Sequence, residues 1–200
     1  MPSVRTFVVP LCIDLALYEP VCPPLTPTVG VVGSMFWEPS RAAATHFIVD
    51  LVSRLRRRVP DLRFLVAGWQ AERYLGAMAK EAGVEVMGDF LDPREVFQRL
   101  SVLVYAPPVG TGMKVKVLEA MAYGVPAVVN SEGFEGLEAD SSPPVCLADS
   151  DETLIESVLD RVGDMGKRIA VAEEGRRCLA RSFAPPIIAE ALAHHLANQN

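Results

Sequence analysis

From residue 28 onward the chain alternates between short, nearly unbroken apolar runs and longer segments with helical spacing, and this alternation limits the fold more than any other feature. TVGVVG at 28–33 is a β-branched run ending in glycine. Beyond Ser40, the positions of Phe47, Val49, Leu51, Val52 and Leu55 supply the apolar side of a helix, which Pro60 ends. The strand pattern returns as LRFLVAG (62–68), VEVMG (84–88), VLVYA (102–106), PAVVN (126–130) and PVCLA (144–148). Between and after these runs, helical patterns occupy 71–82, 93–100, a segment closed by Gly124, 151–164, 166–181 and 186–197. Strands that are apolar on both faces and separated by helices belong to a parallel sheet covered on each side. The expected fold is one three-layer α/β/α domain over 28–200, finished by C-terminal helices. Residues 1–27 contain Pro10, Pro20, Pro23, Pro24 and Pro27 and read as a linker or extended lead-in.

Sheets of this kind bind ligands beyond the carboxyl ends of their strands. The loops there are 33–39, 68–70, 88–92, 107–112 and 131–138, three of which begin at glycine. The loop PPVGTGMK (107–114) joins a strand to a helix through Gly110, Thr111, Gly112 and Met113, and the next residues place Lys114 and Lys116 in the first helical turn. A helix start has unpaired N–H groups and a partial positive charge, so it attracts anions and repels lysines. The cost of the lysines is a few tenths of a kcal/mol, and a bound diphosphate reverses it. The spacing is neither a Walker A loop nor a dinucleotide fingerprint. Glu119 lies in the apolar run 117–122 and needs a partner if buried. Its pattern allows an ion pair with Lys116, three residues earlier, or the two hydroxyls of a ribose.

Composition narrows the function classes. With 50% hydrophobic residues the chain of 200 can bury a substantial core, and its net charge of −6 argues against a general nucleic-acid binder. No apolar run nears the ~20 residues of a membrane span, and MPSVRTFVVP lacks the regions of a signal peptide. Cys12, Cys22, Cys146 and Cys178 show no CxxC spacing and none pairs with a histidine, so no metal site is expected, and they read as reduced thiols of a cytoplasmic protein.

The stretch LEAMAYGVPAVVNSEGFEGL (118–137) resembles the signature of the group 1 glycosyltransferases, retaining enzymes with two Rossmann-like domains (the GT-B fold) that take nucleotide sugars as donors. The resemblance is carried by LEAMA (118–122), by Gly124 and Pro126, and by Gly133, Glu135, Gly136 and Leu137. VVGSMFWEPS (31–40), VPDLRFLVAG (59–68) and VEVMGDFLDPREVFQRLSVLVYAP (84–107) follow in family order, the last resembling the base-binding loop with Phe90. VPLCIDLALYEP (9–20) is similar to the linker that leads into the donor domain, and the tail from Ser182 to its closing helix.

The resemblance therefore implies one Rossmann-like donor-binding domain, half of a GT-B enzyme, cytoplasmic or peripheral to a membrane. Its substrate would be a UDP- or GDP-linked sugar, with no cofactor, and its acceptor-binding domain would lie outside this chain. It makes Glu119 the ribose ligand; Glu135, in a glycine-flanked loop, is expected to address the donor sugar, and Gly33 and Gly110 in the strand-end loops allow close backbone approach. Two departures stand out: Thr111 replaces the glutamate that addresses the sugar, and Arg41 is the one basic residue in SMFWEPSRAAA (34–44), where the family places its diphosphate clamp. Lys114, with Lys116 beside it, is then expected to carry the diphosphate charge, which makes Lys114 and Glu119 the expected catalytic pair.

The opposing class is a non-catalytic nucleotide-sugar binding or interaction module of the same fold. A flavodoxin-like module lacks the required acidic cluster after the first strand. Arg54, Arg56, Arg57 and Arg58 read as a solvated helix end, Glu173 and Glu174 as a solvated face, and His46 as structural. Phe36 and Trp37 either stack on a ligand or cover the top of the sheet.

Overall fold

The computed structural model describes residues 6–110, 112–137 and 145–197. A 3-10 turn at Leu15–Leu17 precedes β1 (Thr28–Val32). One long helical stretch follows, made of α1 (Glu38–His46), a π-turn (Phe47–Leu51) and α2 (Val52–Arg58). It starts earlier than the expected residue 40, because Pro39 suits the first turn, where its missing N–H has no intrahelical partner to lose. Then come β2 (Arg63–Ala67), α3 (Ala71–Ala82), β3 (Glu85–Met87), α4 (Arg94–Phe97), β4 (Val102–Tyr105) and α5 (Val115–Tyr123). The chain continues through β5 (Ala127–Val129), α6 (Ser131–Phe134), β6 (Cys146–Leu147), α7 (Asp151–Gly163), α8 (Met165–Ser182) and α9 (Pro185–Ala197).

The strands form one parallel sheet in the order β3-β2-β1-β4-β5-β6. Every residue of β1, β4 and β5 is buried, as strands covered on both faces require. Leu55, Leu65, Leu103 and Leu118 are among the fully buried side chains, each contributing about 1.5–3 kcal/mol by leaving water. Chain order reverses between β1 and β4, whose register pairs Val29 with Val102 and Gly30 with Leu103. The loops after these two strands must diverge, and the crevice between them is where such sheets take ligands.

Three details depart from the sequence reading. The segment expected as loop 131–138 begins with α6, whose N-cap Asn130 accepts from the Gly133 N–H at 2.9 Å; four residues are too few to show a helical period. The arginine cluster is exposed at Arg57 and Arg58, as expected of a solvated helix end, but it is also engaged: Arg54 binds Asp151 and Glu152, Arg58 binds Glu156, and Arg56 donates to the Ala82 and Gly83 carbonyls. The basic end of α2 thus meets the acidic first turn of α7, so each charge also complements a helix dipole. Glu174 is likewise held by Arg177 and Arg181.

The lead-in lies along α5 and α8. Ile13 N–H donates to the Phe183 carbonyl at 2.8 Å, and Val21 N–H to the Tyr123 carbonyl at 2.9 Å. Arg176 of α8 fastens the same segment through the Tyr18 and Ala122 carbonyls. Among the described residues no helix is long and apolar enough to cross a membrane, and no group of three metal-ligating side chains occurs.

Candidate functional site

The ends of β1 and β2 are pressed together at Gly68, whose φ is +133°. A Cβ there would meet the Gly33 carbonyl oxygen at 2.0 Å, so only glycine allows this approach. Gly33 in turn lies against the α5 side of the crevice: a Cβ on it would stand 3.0 Å from Ser40 Oγ and 3.1 Å from Lys116 Cε. Lys116 therefore reaches from the first turn of α5 across the strand ends to α1. Its Nζ donates to Ser40 Oγ at 3.3 Å and sits 4.2 Å from the centre of the Tyr105 ring. Ser40 and Tyr105 are themselves 3.2 Å apart, hydroxyl to hydroxyl. Among the described residues this ammonium forms no ion pair, its hydrogen-bond and ring partners are neutral, and it stands between the N-termini of two helices, each carrying partial positive charge.

Lys114 is placed differently. It is 8% exposed, its Nζ donates to the Gly112 carbonyl, and Glu135 Oε2 lies 3.4 Å away. The loop after α6 thus closes on the start of α5. Met113 is packed into the same junction: the Leu11 N–H points at its sulfur at 3.3 Å, and Gly136, at φ +80°, lies directly against its side chain. Gly110 is half-buried and Gly112 exposed. Thr111 lies outside the described residues. Phe90, in the loop before α4, is half-buried and packs on the core.

Glu119 is half-buried, one turn further along α5 than Lys116. Burial raises its carboxyl above the ordinary 4.5, and the charge of Lys116 opposes that rise. Among the described residues the carboxylate has neither a hydrogen bond nor an ion pair, so the i,i+3 pair with Lys116 is not formed. Burial also raises the phenols of Tyr18 and Tyr123, with Glu119 adding to both. These rings meet edge-on at 5.1 Å, and Phe97 stacks on Tyr123 at 5.1 Å. The crevice accordingly joins a cation with neutral partners to a carboxylate with none.

Arg41, the one basic residue in the stretch where the family places its diphosphate clamp, donates to the Met35 carbonyl and lies 5.0 Å from the Tyr74 ring. His46 bonds Asp151 at 2.8 Å, away from the Lys116 crevice, in keeping with a structural role. Sequence reasoning missed Ser40, Tyr105, Tyr18 and Tyr123. Tyr105 carried a faint signal as the one polar-tipped residue in the run VLVYA; Ser40 carried none, because only the fold brings α1 over β4.

A family model described as Glycosyl transferases group 1 matches residues 26–164, well over half of the chain. No curated protein sequence matches it individually. Among solved structures, the C-terminal domain of the group 1 family protein LpcC from Francisella tularensis is similar at 16% identity and TM-score 0.66, over 86% of this chain and 99% of that one. Anabaena Alr3699/HepE, solved in complex with UDP, is similar at 16% identity and TM-score 0.72, over 94% of this chain and 56% of its own. TarM is similar at 13% identity and TM-score 0.75, over 88% of this chain and 36% of its own. The chain thus spans roughly half or less of the length of HepE and TarM, and these likenesses establish the fold.

Proposed function

This chain belongs to the glycosyl transferases of group 1, and from that premise we propose that it is the donor half of such an enzyme, binding a nucleoside-diphosphate sugar. The observation that carries the reading is Lys116, an ammonium at the β1/β4 switch point with neutral partners, beside the unpartnered Glu119. In this reading Lys116 meets the diphosphate and Glu119 accepts from the two ribose hydroxyls. Glycosyl transfer breaks the bond between the sugar and the diphosphate, which departs with the bonding pair. An acceptor hydroxyl oxygen forms the new bond and gives up its proton. Charge therefore grows on the leaving phosphate, where the fixed ammonium and the N–H groups starting α5 stabilise it without reorganising. Lys114 stands at the same helix start but is paired with Glu135, whose half-exposed carboxylate faces the donor sugar in this reading.

The acceptor-binding domain lies outside this chain, in keeping with the greater length of HepE and TarM. That HepE was solved with UDP and with UDP-glucose makes these the first ligands to test, with GDP beside them. Thr111 in place of the sugar-directed glutamate favours a second reading, a nucleotide-sugar binding module without transfer. Calorimetric titration with UDP, UDP-glucose, GDP and ADP tests the donor reading. Saturable binding of one nucleoside diphosphate, stronger than of its nucleoside, is expected; no saturable heat with any of them would refute it. Sugar transfer after addition of the acceptor domain then separates enzyme from module.

A further inference from the structure

The Lys116 ammonium forms no ion pair among the described residues, yet three groups fix where it stands. Gly33 leaves room for its stem, since a Cβ there would lie 3.1 Å from Lys116 Cε. Ser40 Oγ accepts from Nζ at 3.3 Å, and the centre of the Tyr105 ring is 4.2 Å from Nζ. Ser40 comes from the first turn of α1 and Tyr105 from the last position of β4, and each is only 1% exposed. A buried hydroxyl costs free energy unless it is hydrogen-bonded, and these two answer one another at 3.2 Å. Alanine and phenylalanine would fill the same two positions without that requirement, so packing alone does not account for the pair. A cation over an aromatic face is attracted by the ring's electron-rich centre, more strongly where water is excluded. That attraction holds the ammonium without neutralising it. Lys114 shows the alternative at the same helix start, where Glu135 offsets its charge.

We propose that Ser40 and Tyr105 are positioning residues, a neutral seat that holds the charged Lys116 ammonium in place for the phosphates of the donor. The phosphate part of this role rests on the donor reading above; the seat rests on its own geometry. Both residues act through Lys116, and neither needs to touch the ligand. The seat matters for transfer because charge develops on the departing diphosphate, and a group already in place stabilises it without reorganising. A neutral seat suits this task better than a carboxylate, which a phosphate would have to displace. A purely structural role for the hydroxyl pair has a different consequence: its loss would lower the melting temperature and leave phosphate affinity untouched.

The test uses Ser40→Ala, Tyr105→Phe and Tyr105→Leu, alone and combined with Lys116→Met, titrated calorimetrically with uridine and UDP. Ser40→Ala should weaken UDP by about three- to tenfold and Tyr105→Leu by about tenfold, with uridine within about twofold in both. Tyr105→Phe keeps the ring face and should recover most of what Tyr105→Leu loses. In the Lys116→Met background the same changes should cost UDP nothing further, because groups that act through one another are not additive. A second readout needs no ligand. In protein labelled with 13C-lysine, the Lys116 Hε resonance is identified by its loss in Lys116→Met. The Tyr105 ring current should place it upfield of the other lysines, and Ser40→Ala should move it back toward them. An unshifted resonance in the wild type, or one that Ser40→Ala leaves in place, would overturn the proposal. So would UDP losses that persist undiminished in Lys116→Met, equal losses for uridine, or a lower melting temperature in Ser40→Ala with UDP affinity unchanged. A shifted resonance that responds to Ser40→Ala, in a wild type that binds no UDP, would instead sink the donor reading and leave the seat standing.

Discussion

Replacing Lys116 with methionine is the most informative single change, because it keeps the stem packed at Gly33 and removes only the charge. An ammonium has three N–H donors. One is spent on Ser40, and the seat 4.2 Å over Tyr105 needs none in particular, so two remain for phosphate oxygens. Binding a diphosphate therefore requires no protein partner to be given up, and the full value of a charge-assisted contact, roughly 1.5–3 kcal/mol, is at stake. Lys116→Met should weaken UDP by about ten- to a hundredfold and leave uridine within about twofold. Lys114 differs, since its ammonium is already neutralised by Glu135 and closed on the Gly112 carbonyl. A phosphate must compete for it, so Lys114→Met should cost UDP less than about fivefold, near 1 kcal/mol. Isothermal titration of both variants with uridine, UMP and UDP measures the pattern. Equal losses for uridine and UDP in Lys116→Met would refute the phosphate assignment. A larger phosphate-selective loss in Lys114→Met would return the leading role to the residue that the sequence favours.

Glu119→Gln should weaken uridine and UDP alike, by about tenfold or more, since the ribose is common to both. The same change should raise the melting temperature of the ligand-free protein at neutral pH. A carboxyl whose folded pKa is raised above its ordinary 4.5 disfavours the folded state once the unfolded chain ionises, so the gain should shrink as pH falls below that value; a gain that grows in acid would contradict it. Gly33→Ala places a methyl group 3.1 Å from Lys116 Cε and 3.0 Å from Ser40 Oγ, and should lower UDP affinity with little effect on uridine, as titration would show. Asp151→Asn removes the shared partner of His46 and Arg54; at about one-third exposure of each side chain the loss of folding stability in urea should stay near 1 kcal/mol or less, with UDP binding unchanged.

What the sequence by itself determined was everything that repeats along the chain. β-branched runs closed by glycine gave the strands, apolar spacing gave the long helices, and their alternation dictated a parallel sheet, because these patterns depend on residues a few positions apart. The rim of the sheet was legible for the same reason, since strand ends are read directly from the runs, and LEAMA at 118–122 with the spaced glycines after it marked the family. The division of labour between the two lysines was not legible. Spacing alone puts both lysines in the first helical turn, but Lys114 is the extended N-cap of α5 and only Lys116 lies within the helix, so they leave on different sides, and which side faces the crevice is fixed by where α5 docks over β4. Only the tertiary structure brings Ser40 from α1 and Tyr105 from β4 beneath Lys116, and only it folds Glu135 back onto Lys114. The partners of Arg54 and Arg58, nearly a hundred residues away on α7, were hidden for the same cause. A charge in a sequence states what it needs; its partner is chosen by packing between elements that no local pattern relates.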